Sequence, residues 1–474
     1  MTAERPPVDR KARLKAVPPS PELRPVAERI HDFQPALVDL TPEEAQAIAA
    51  VCIHCPDPAP CQKACPAGND ISEALWLIEE GDFLGAAEVY RRTSTLPEVC
   101  GRVCPHEDLC QGACVRNKRG LPVYTGQLEA FVADYARAHN GRTLPVGPDT
   151  GKMVAVVGAG PSGLSCAARL RQAGHQVTIF DKNPAPGGLL RYGIPDFKLP
   201  VEVVQDQVQD LLDVGVIFEL ATEIGRSPSI DDLFESGFDA VYLGPGTWKD
   251  TRLNAPGADL PGVVQASEFL YKAKADLKSL ASGLGGLEGL GRRLVVVGGG
   301  DTASDCMRTA LRLGVEEVTC VYRRTEQEMP GSPHDRQLAQ EEGAQFKYLI
   351  QPVRFIAGPD GRVAEVECLK CELGEPDSSG RPRPIPIEGS EFTLQADTVI
   401  LALGYWADDE LTTHIPGLET ERGGLIVADA ETGATSRPGV FAGGDAVSGP
   451  DLVGTAMVAG HHAAAAIDEY LNQG

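Results

Sequence analysis

Eight of the thirteen cysteines of this 474-residue chain fall in two short runs, and each run contains a Cys-Pro step. Cys52, Cys55, Cys61 and Cys65 precede Pro66 in the spacing C-x2-C-x5-C-x3-C-P. Cys100, Cys104, Cys110 and Cys114 form the second run, with Pro105 after Cys104. Thiolates crowded in this way suit iron–sulfur clusters. A run closing in Cys-Pro is a ferredoxin-type signature in which the cysteine before the proline ligates the other cluster, so the two runs would interlock. Structural zinc takes two close pairs from separate places, not four cysteines in each run. Disulfides belong to small secreted domains, and residues 1–25 are charged and proline-rich, with no apolar stretch of the signal-peptide kind. Reduced cysteines at this density point to a reducing, cytoplasmic compartment. The chemistry these residues predict is electron transfer.

Two glycine-rich turns come next. Gly158, Gly160 and Gly163 form G-x-G-x-x-G after the apolar run MVAVV, with Pro161 and Ser162 inside the motif and an Ala-rich helix predicted after it. Asp181 ends the following strand (VTIFD), and Lys182 is next to it. Such glycines let backbone N–H groups approach a pyrophosphate, the helix N-terminus favours its charge, and the carboxylate accepts from ribose hydroxyls. Gly298, Gly300 and Ala303 form G-x-G-x-x-A after LVVV and enclose Gly299, Asp301 and Thr302. The strand after that (VTCVYRR) ends in Arg323 and Arg324, where a carboxylate would repel a 2′-phosphate and guanidinium groups would bind one. This favours NADPH over NADH. The alternative is that these arginines pair with the nearby Glu326 or Glu328.

The elements that must carry these motifs change character along the chain. Residues 26–140 read as helical: 73–91 as two helices turning at Gly81-Asp82, and 125–139 as another, with the cysteines in the loops between. A Pro/Gly-rich linker covers 144–151, and strand–turn–helix units then start at 153 and 294. The Gly-rich stretch 274–292 reads as the crossing between two nucleotide-binding domains, 398–403 as a further buried strand, and 440–445 as the entry to a final helix ending near 471. No apolar run approaches the roughly 18 residues of a membrane span. The net charge of −24 and pI near 4.8 argue against nucleic acid as a partner. This acidity is spread along the chain and reads as solubility. The opening residues read as a cytoplasmic tail or an arm that embraces a partner.

The stretches VCGRVCP, VAVVGAGPSGLSCA, PGGLLRYGIPDFKLP, VVVGGGDTASDC, VTCVYRR, EGAQFKYLIQP and GVFAGGDA carry a family resemblance. Over nearly its whole length the chain resembles the small (beta) subunit of NADPH-dependent glutamate synthase. The wider family includes the large subunit of NADH-dependent ferredoxin:NADP oxidoreductase and the N-terminal half of dihydropyrimidine dehydrogenase. The two cysteine runs look closer to these last two than to bacterial beta subunits. The resemblance implies an α/β fold: an N-terminal helical domain with two [4Fe-4S] clusters, then two Rossmann-like domains, the FAD domain interrupted by the NADPH domain. The implied boundaries are an arm at 1–25, the cluster domain at 26–145, FAD domain at 152–285, NADPH domain at 292–395, and FAD domain again at 396–474.

It further implies that residues 187–200, with Gly188, Leu189, Arg191, Ile194 and Lys198, line the flavin, together with Gly444, Asp445 and Thr455. NADPH contacts fall on Gly299, Gly300, Asp301, Thr302, Arg323, Arg324 and the strand end Ala402-Leu403-Gly404. One cluster would take Cys52, Cys55, Cys61 and Cys114. The other would take Cys65, Cys104, Cys110 and Glu129, with Cys100 a competing thiolate. No side-chain acid or base is implied, and so no catalytic residue in that sense. The implied activity passes electrons from NADPH through FAD and the clusters to a partner. The leading partner is the glutamate synthase large subunit, which makes glutamate from glutamine and 2-oxoglutarate. The alternatives are an electron-bifurcating ferredoxin/NADH/NADPH transhydrogenase and an electron-carrier module with one dead nucleotide site. Cys368 and Cys371 form C-x2-C in a strand-rich stretch and read as a chance pair. Cys166, Cys306 and Cys320 read as core residues, and His461 and His462 as helix-surface or packing residues, not metal ligands.

Overall fold

The computed structural model describes residues 7–473 apart from 140, 142–143, 281–288, 378–379 and 422. Part of the expected crossing and the first six residues of the arm therefore lie outside the described residues. Helices Ile71–Glu80 and Phe83–Thr93 form where the apolar spacing places them. Gly81 ends the first in a left-handed conformation (φ 82°), and the Asp82 carboxylate caps the second by accepting from the Gly85 N–H. With Pro42–Ala49 and Thr125–Ala138 they enclose a core that includes Ile48, Leu75, Ile78, Tyr90, Leu128 and Val132. Not all the cysteines lie in loops. Cys61 and Cys100 sit inside the short helices Pro60–Ala64 and Pro97–Val103, each opened by a proline whose missing N–H costs nothing in a first turn. Cys65 and Cys104 follow directly as the C-caps of those helices, so a thiol stands at each helix end.

Two five-stranded parallel sheets follow. The first runs Val440–Ala442, Ala240–Leu243, Met153–Val157, Gln176–Asp181, Ile217–Leu220. The second runs Val263–Gln265, Thr398–Leu401, Arg293–Val297, Glu317–Tyr322, Gln345–Tyr348. The boundaries at 285 and 396 are thereby corrected. Strands Val263–Gln265 and Thr398–Leu401 belong to the second sheet, and helix Ala266–Leu280 packs on it through Phe269 and Leu270. A short apolar strand buried on both faces fits either parallel sheet, so only its pairing decides. The strand Val440–Ala442 does not run straight into the final helix either. A short helix, Asp445–Ser448, intervenes before Val453–Asn472. An antiparallel insert (Ile350–Ala357, Val363–Pro376, Pro382–Pro386, Phe392–Gln395) extends from the second domain. Cys368 and Cys371 are buried within it, and Cys166, Cys306 and Cys320 are fully buried in the domain cores.

A buried charge network joins all three parts. Glu342 accepts from Arg308 (2.9 Å) and Arg312 (2.6 Å) and pairs with Arg29 of helix Val26–Arg29 (3.1 Å). Burial opposes the Glu342 charge, but Arg312 and Arg308 hold its pKa below the usual carboxylate range. Both arginines also lie over the Phe197 ring, 4.6 and 4.1 Å from its centroid. The next residue, Lys198, pairs with Asp305 and Asp335 of the second domain at 2.6 Å each. Removing one partner of a buried charge group leaves the others uncompensated, typically about 3–5 kcal/mol. Glu342→Ala should therefore lower the thermal midpoint far more than Glu341→Ala, whose carboxylate is partly exposed. Paired melting curves of the two variants check this.

Candidate functional site

One cavity of ≈ 1700 Å³ opens between the two sheets and reaches the cluster domain. Its first arm is lined by Gly158, Gly160, Pro161, Ser162, Asp181, Gly188, Leu189, Ile194, Lys198 and Asp445. Helix Pro161–Ala173 starts here with no side chain capping its N–H groups, and a Cβ added at Gly160 would meet nothing nearer than 4.0 Å. Open donors at a helix N-terminus form a cradle for a dinucleotide pyrophosphate, so the residues fit FAD. At Gly163 a Cβ would stand 1.9 Å from the Gly158 carbonyl oxygen, so this glycine serves close helix–strand packing and does not face the cavity. Asp181 lines the cavity, but its carboxylate already accepts from the N–H groups of Ala159 (2.7 Å) and Asn183 (2.8 Å) and so shapes the turn. Burial raises the Asp445 pKa to about 6.

Four further expected contacts lie off the cavity wall. Lys182 pairs with Asp408 (3.6 Å) above the Trp248 ring. Thr455 donates to the Leu452 carbonyl (2.7 Å) within the first turn of the last helix. Gly444 packs beneath Ser162, and Arg191 lies on the short helix Leu189–Tyr192. Lys198 faces the cavity, yet its ammonium is held by the two aspartates; burial opposes its charge, and Asp305 and Asp335 raise its pKa. Two residues outside every motif, Thr247 and Trp248, also line this arm, and Thr247 donates to Asp445 (3.4 Å).

The second arm is lined by Gly299, Gly300, Asp301, Thr302, Arg323, Arg324, Ala402 and Gly404. Helix Asp301–Arg312 also starts without a side-chain cap, and a Cβ at Gly300 would meet nothing within 4 Å. The cradle is thus repeated. The two arginines divide. Arg323 is exposed toward the cavity. Arg324 is buried, donates to Asp377 (2.6 Å) and to the Pro382 carbonyl (2.7 Å), and so pins the hairpin between Val363–Pro376 and Pro382–Pro386. Neither pairs with Glu326 or Glu328: the first holds Arg336 (3.0 Å), the second accepts from the Thr325 N–H (3.0 Å). The pinned hairpin brings Arg381 to the cavity wall, a residue that motif spacing could not find.

The cysteines gather into two groups. Cys55, Cys61 and Cys114 are the charge neighbours of Cys52, and burial pushes the Cys52 thiol up to about 12. Cys65, Cys104, Cys110 and Glu129 are charge neighbours in a second set, and Cys100 neighbours Cys104, Glu129 and Cys65 of the same set. Among the described residues no three His, Cys, Asp or Glu side chains are placed to hold a single metal ion. Glu129 is buried, burial raises its pKa well above the usual range, and its hydrogen-bond donor is the Asn69 amide (3.2 Å). A carboxylate buried beside thiols with an amide and no cation for company fits a ligand to iron. The Cys104 N–H donates to the Cys100 carbonyl (3.1 Å), and Cys100 packs with Leu96, Val99 and Met457. Cys104 lines the cavity, and a Cβ added at Gly454 of the last helix would stand 3.8 Å from its sulfur. None of Cys52, Cys55, Cys61 or Cys114 lines it.

Residues 29–141 match the family described as dihydropyrimidine dehydrogenase domain II, 4Fe-4S cluster, and residues 152–460 match the pyridine nucleotide-disulphide oxidoreductase family. The glutamate synthase [NADPH] small chain of Escherichia coli K12 is 40% identical over 464 residues, covering 95% of this chain and 96% of its own. The chain belongs to the glutamate synthase small-chain family. It is accordingly an NADPH-dependent FAD and iron–sulfur oxidoreductase. The E. coli K12 protein AegA is 40% identical over 484 residues, covering 99% of this chain and 72% of AegA. The solved structure of Mycobacterium tuberculosis FprA in complex with NADPH shares the fold: TM-score 0.57, 22% identity, 68% of this chain and 85% of that one. Among the described residues no helix is long and apolar enough to cross a membrane.

Arg323→Ala and Arg381→Ala should each raise the KM for NADPH about tenfold or more, the loss of a charge-assisted contact worth about 1.5–3 kcal/mol, and leave that for NADH nearly unchanged. Arg324→Ala should act through the freed hairpin and affect NADPH in the same direction. Steady-state kinetics with both nucleotides decide it. An equal loss with NADH for Arg323→Ala would assign that guanidinium to structure.

Proposed function

We propose that this chain draws electrons from NADPH and hands them singly to a protein partner, with the glutamate synthase large subunit as the leading candidate and the cytoplasm as the compartment. The observation that carries this reading is the position of Cys104 on the wall of the cavity that joins the two glycine-rich turns. FAD, when bound, accepts a hydride from NADPH and releases its electrons one at a time to iron–sulfur centres. The chain's own residues do the placing. The first glycine turn and residues 187–200 hold the flavin, and the second turn with Arg323 orients the nucleotide. Cys65, Cys104, Cys110 and Glu129 would hold one [4Fe-4S] cluster, with Cys104 at the cavity wall. Cys52, Cys55, Cys61 and Cys114 would hold the second. Lys198 spans the two nucleotide domains and fixes their spacing.

Coverage of 96% of the Escherichia coli glutamate synthase small chain supports the choice of partner. The same geometry would serve a ferredoxin/NADH/NADPH transhydrogenase, and a co-purifying ferredoxin-reductase chain in place of a large amidotransferase would favour that reading. The purified chain should reduce an electron-accepting dye with NADPH alone. It should make glutamate from glutamine and 2-oxoglutarate only when the large subunit is added. Glutamate formed by the isolated chain would overturn the division of labour.

The ligand sets have their own test. Anaerobic iron and sulfide analysis should give about eight irons, as two cubane clusters require. Glu129→Ala should lose or alter one cluster and keep FAD. Cys100→Ala should keep both clusters, because the Cys100 side chain packs in an apolar cluster with Leu96, Val99 and Met457. The reverse pattern would reassign the fourth ligand to Cys100.

A further inference from the structure

The chain carries 67 acidic and 43 basic residues, yet the surface over the Cys52 group is basic. Helix Arg10–Lys15 (RKARLK) contains no acid, and neither does the turn Val115–Arg119 (VRNKR) that follows Cys114. The two segments are fastened together: Arg116 donates to the carbonyl oxygens of Arg13 and Ala16. They are also fastened to the thiol loop. Arg10 donates to the carbonyls of Ile53 (3.1 Å) and His54 (2.7 Å), and Arg13 donates to that of Cys52 (2.9 Å). Arg13 is neutralised by Glu79 (2.5 Å), and Arg116 is buried. Lys11, Lys15, Lys118 and Arg119 remain exposed, with Lys63 beside Cys61. Exposed acids nearby are Asp9, the cap of the helix, Asp57 in the cysteine loop and Glu80, next to the Glu79 that holds Arg13. Val17, 73% exposed, adds an apolar contact at the end of the arm.

We infer that this face docks an acidic protein, the redox partner of the chain. The inference rests on the electron-transfer reading above and adds the chemistry of the partner. The net charge of −24 repels an acidic protein over most of the surface, so a local basic face steers it to one place. That place covers the thiol group which does not line the nucleotide cavity, so a docked protein leaves nucleotide entry clear. The basic arm precedes residues 29–141, the stretch that matches the cluster-domain family.

The probes are an acidic [2Fe-2S] ferredoxin and, as the control of opposite charge, a basic cytochrome c, titrated onto the iron-loaded full chain by interferometry. The ferredoxin should bind, and should weaken about tenfold as salt rises from about 50 to about 200 mM. The combined variant Lys11→Glu, Lys15→Glu, Lys118→Glu and Arg119→Glu should bind it about tenfold or more weakly at low salt. That variant should keep the iron content and the NADPH-driven flavin bleaching of the parent, which shows that it folds and loads. Ferredoxin bound equally by parent and variant would overturn the inference. So would cytochrome c bound more weakly by the variant than by the parent, or binding of phosphatidylserine vesicles or an RNA oligonucleotide as tight as that of ferredoxin. Flavin bleaching absent from the parent, with charge-dependent ferredoxin binding intact, would remove the electron-transfer reading and leave the docking face standing.

Discussion

Glu342 is one carboxylate buried among arginines, and the placing of everything else follows from satisfying it. Ions taken out of water cost several kcal/mol each unless well paired. Here the partners come from different parts of the chain: Arg29 from the N-terminal helical region, Arg308 and Arg312 from the second nucleotide domain. Phe197 lies against those guanidiniums, and Lys198 closes on Asp305 and Asp335. The loop expected to meet the flavin is thus fixed to the domain expected to hold the nicotinamide. Hydride transfer depends on a few ångströms of spacing between two cofactors, and fixed charge pairs set such spacing better than an apolar contact that slides.

The two nucleotide arms repeat one solution. A parallel strand enters a glycine turn, and an uncapped helix offers its N–H groups to a phosphate. They differ in how the far end of the ligand is read. The first arm ends in Asp181, already engaged by backbone amides. The second ends in Arg323, with Arg324 withdrawn to tether a hairpin. One arginine of the pair faces the cavity, and its neighbour supports the wall.

Much of this was legible in the sequence because the responsible signals are local. Glycine spacing, the strand before it and the charge at the next strand end lie within one contiguous unit, so both nucleotide turns could be read directly. The helices of the cluster domain were legible from their apolar spacing. What the sequence hid depends on contacts between distant segments. The strand TVIL looks the same whichever sheet it joins. Arg324 reads as a phosphate contact until Asp377 is seen beside it. The fate of Lys198 rests on aspartates more than a hundred residues away. The grouping of Cys114 with Cys52 had no local signal and came only through family resemblance.

The first sheet is threaded in a way that bears on how the protein is made. Its edge strand, Val440–Ala442, and the final helix come after the whole second domain in the chain. The final helix is not an appendage: at Gly460 a Cβ would stand 2.3 Å from the Ser162 carbonyl oxygen, so it lies hard against the helix that starts at the first glycine turn. Domains form as their residues leave the ribosome. The second domain, whose strands are all made earlier, is complete while the first still lacks an edge and a covering helix. Flavin capture therefore waits on residues translated after the second domain, and a ribosome that stalls between the two releases a chain able to grip a nicotinamide nucleotide with no flavin to reduce.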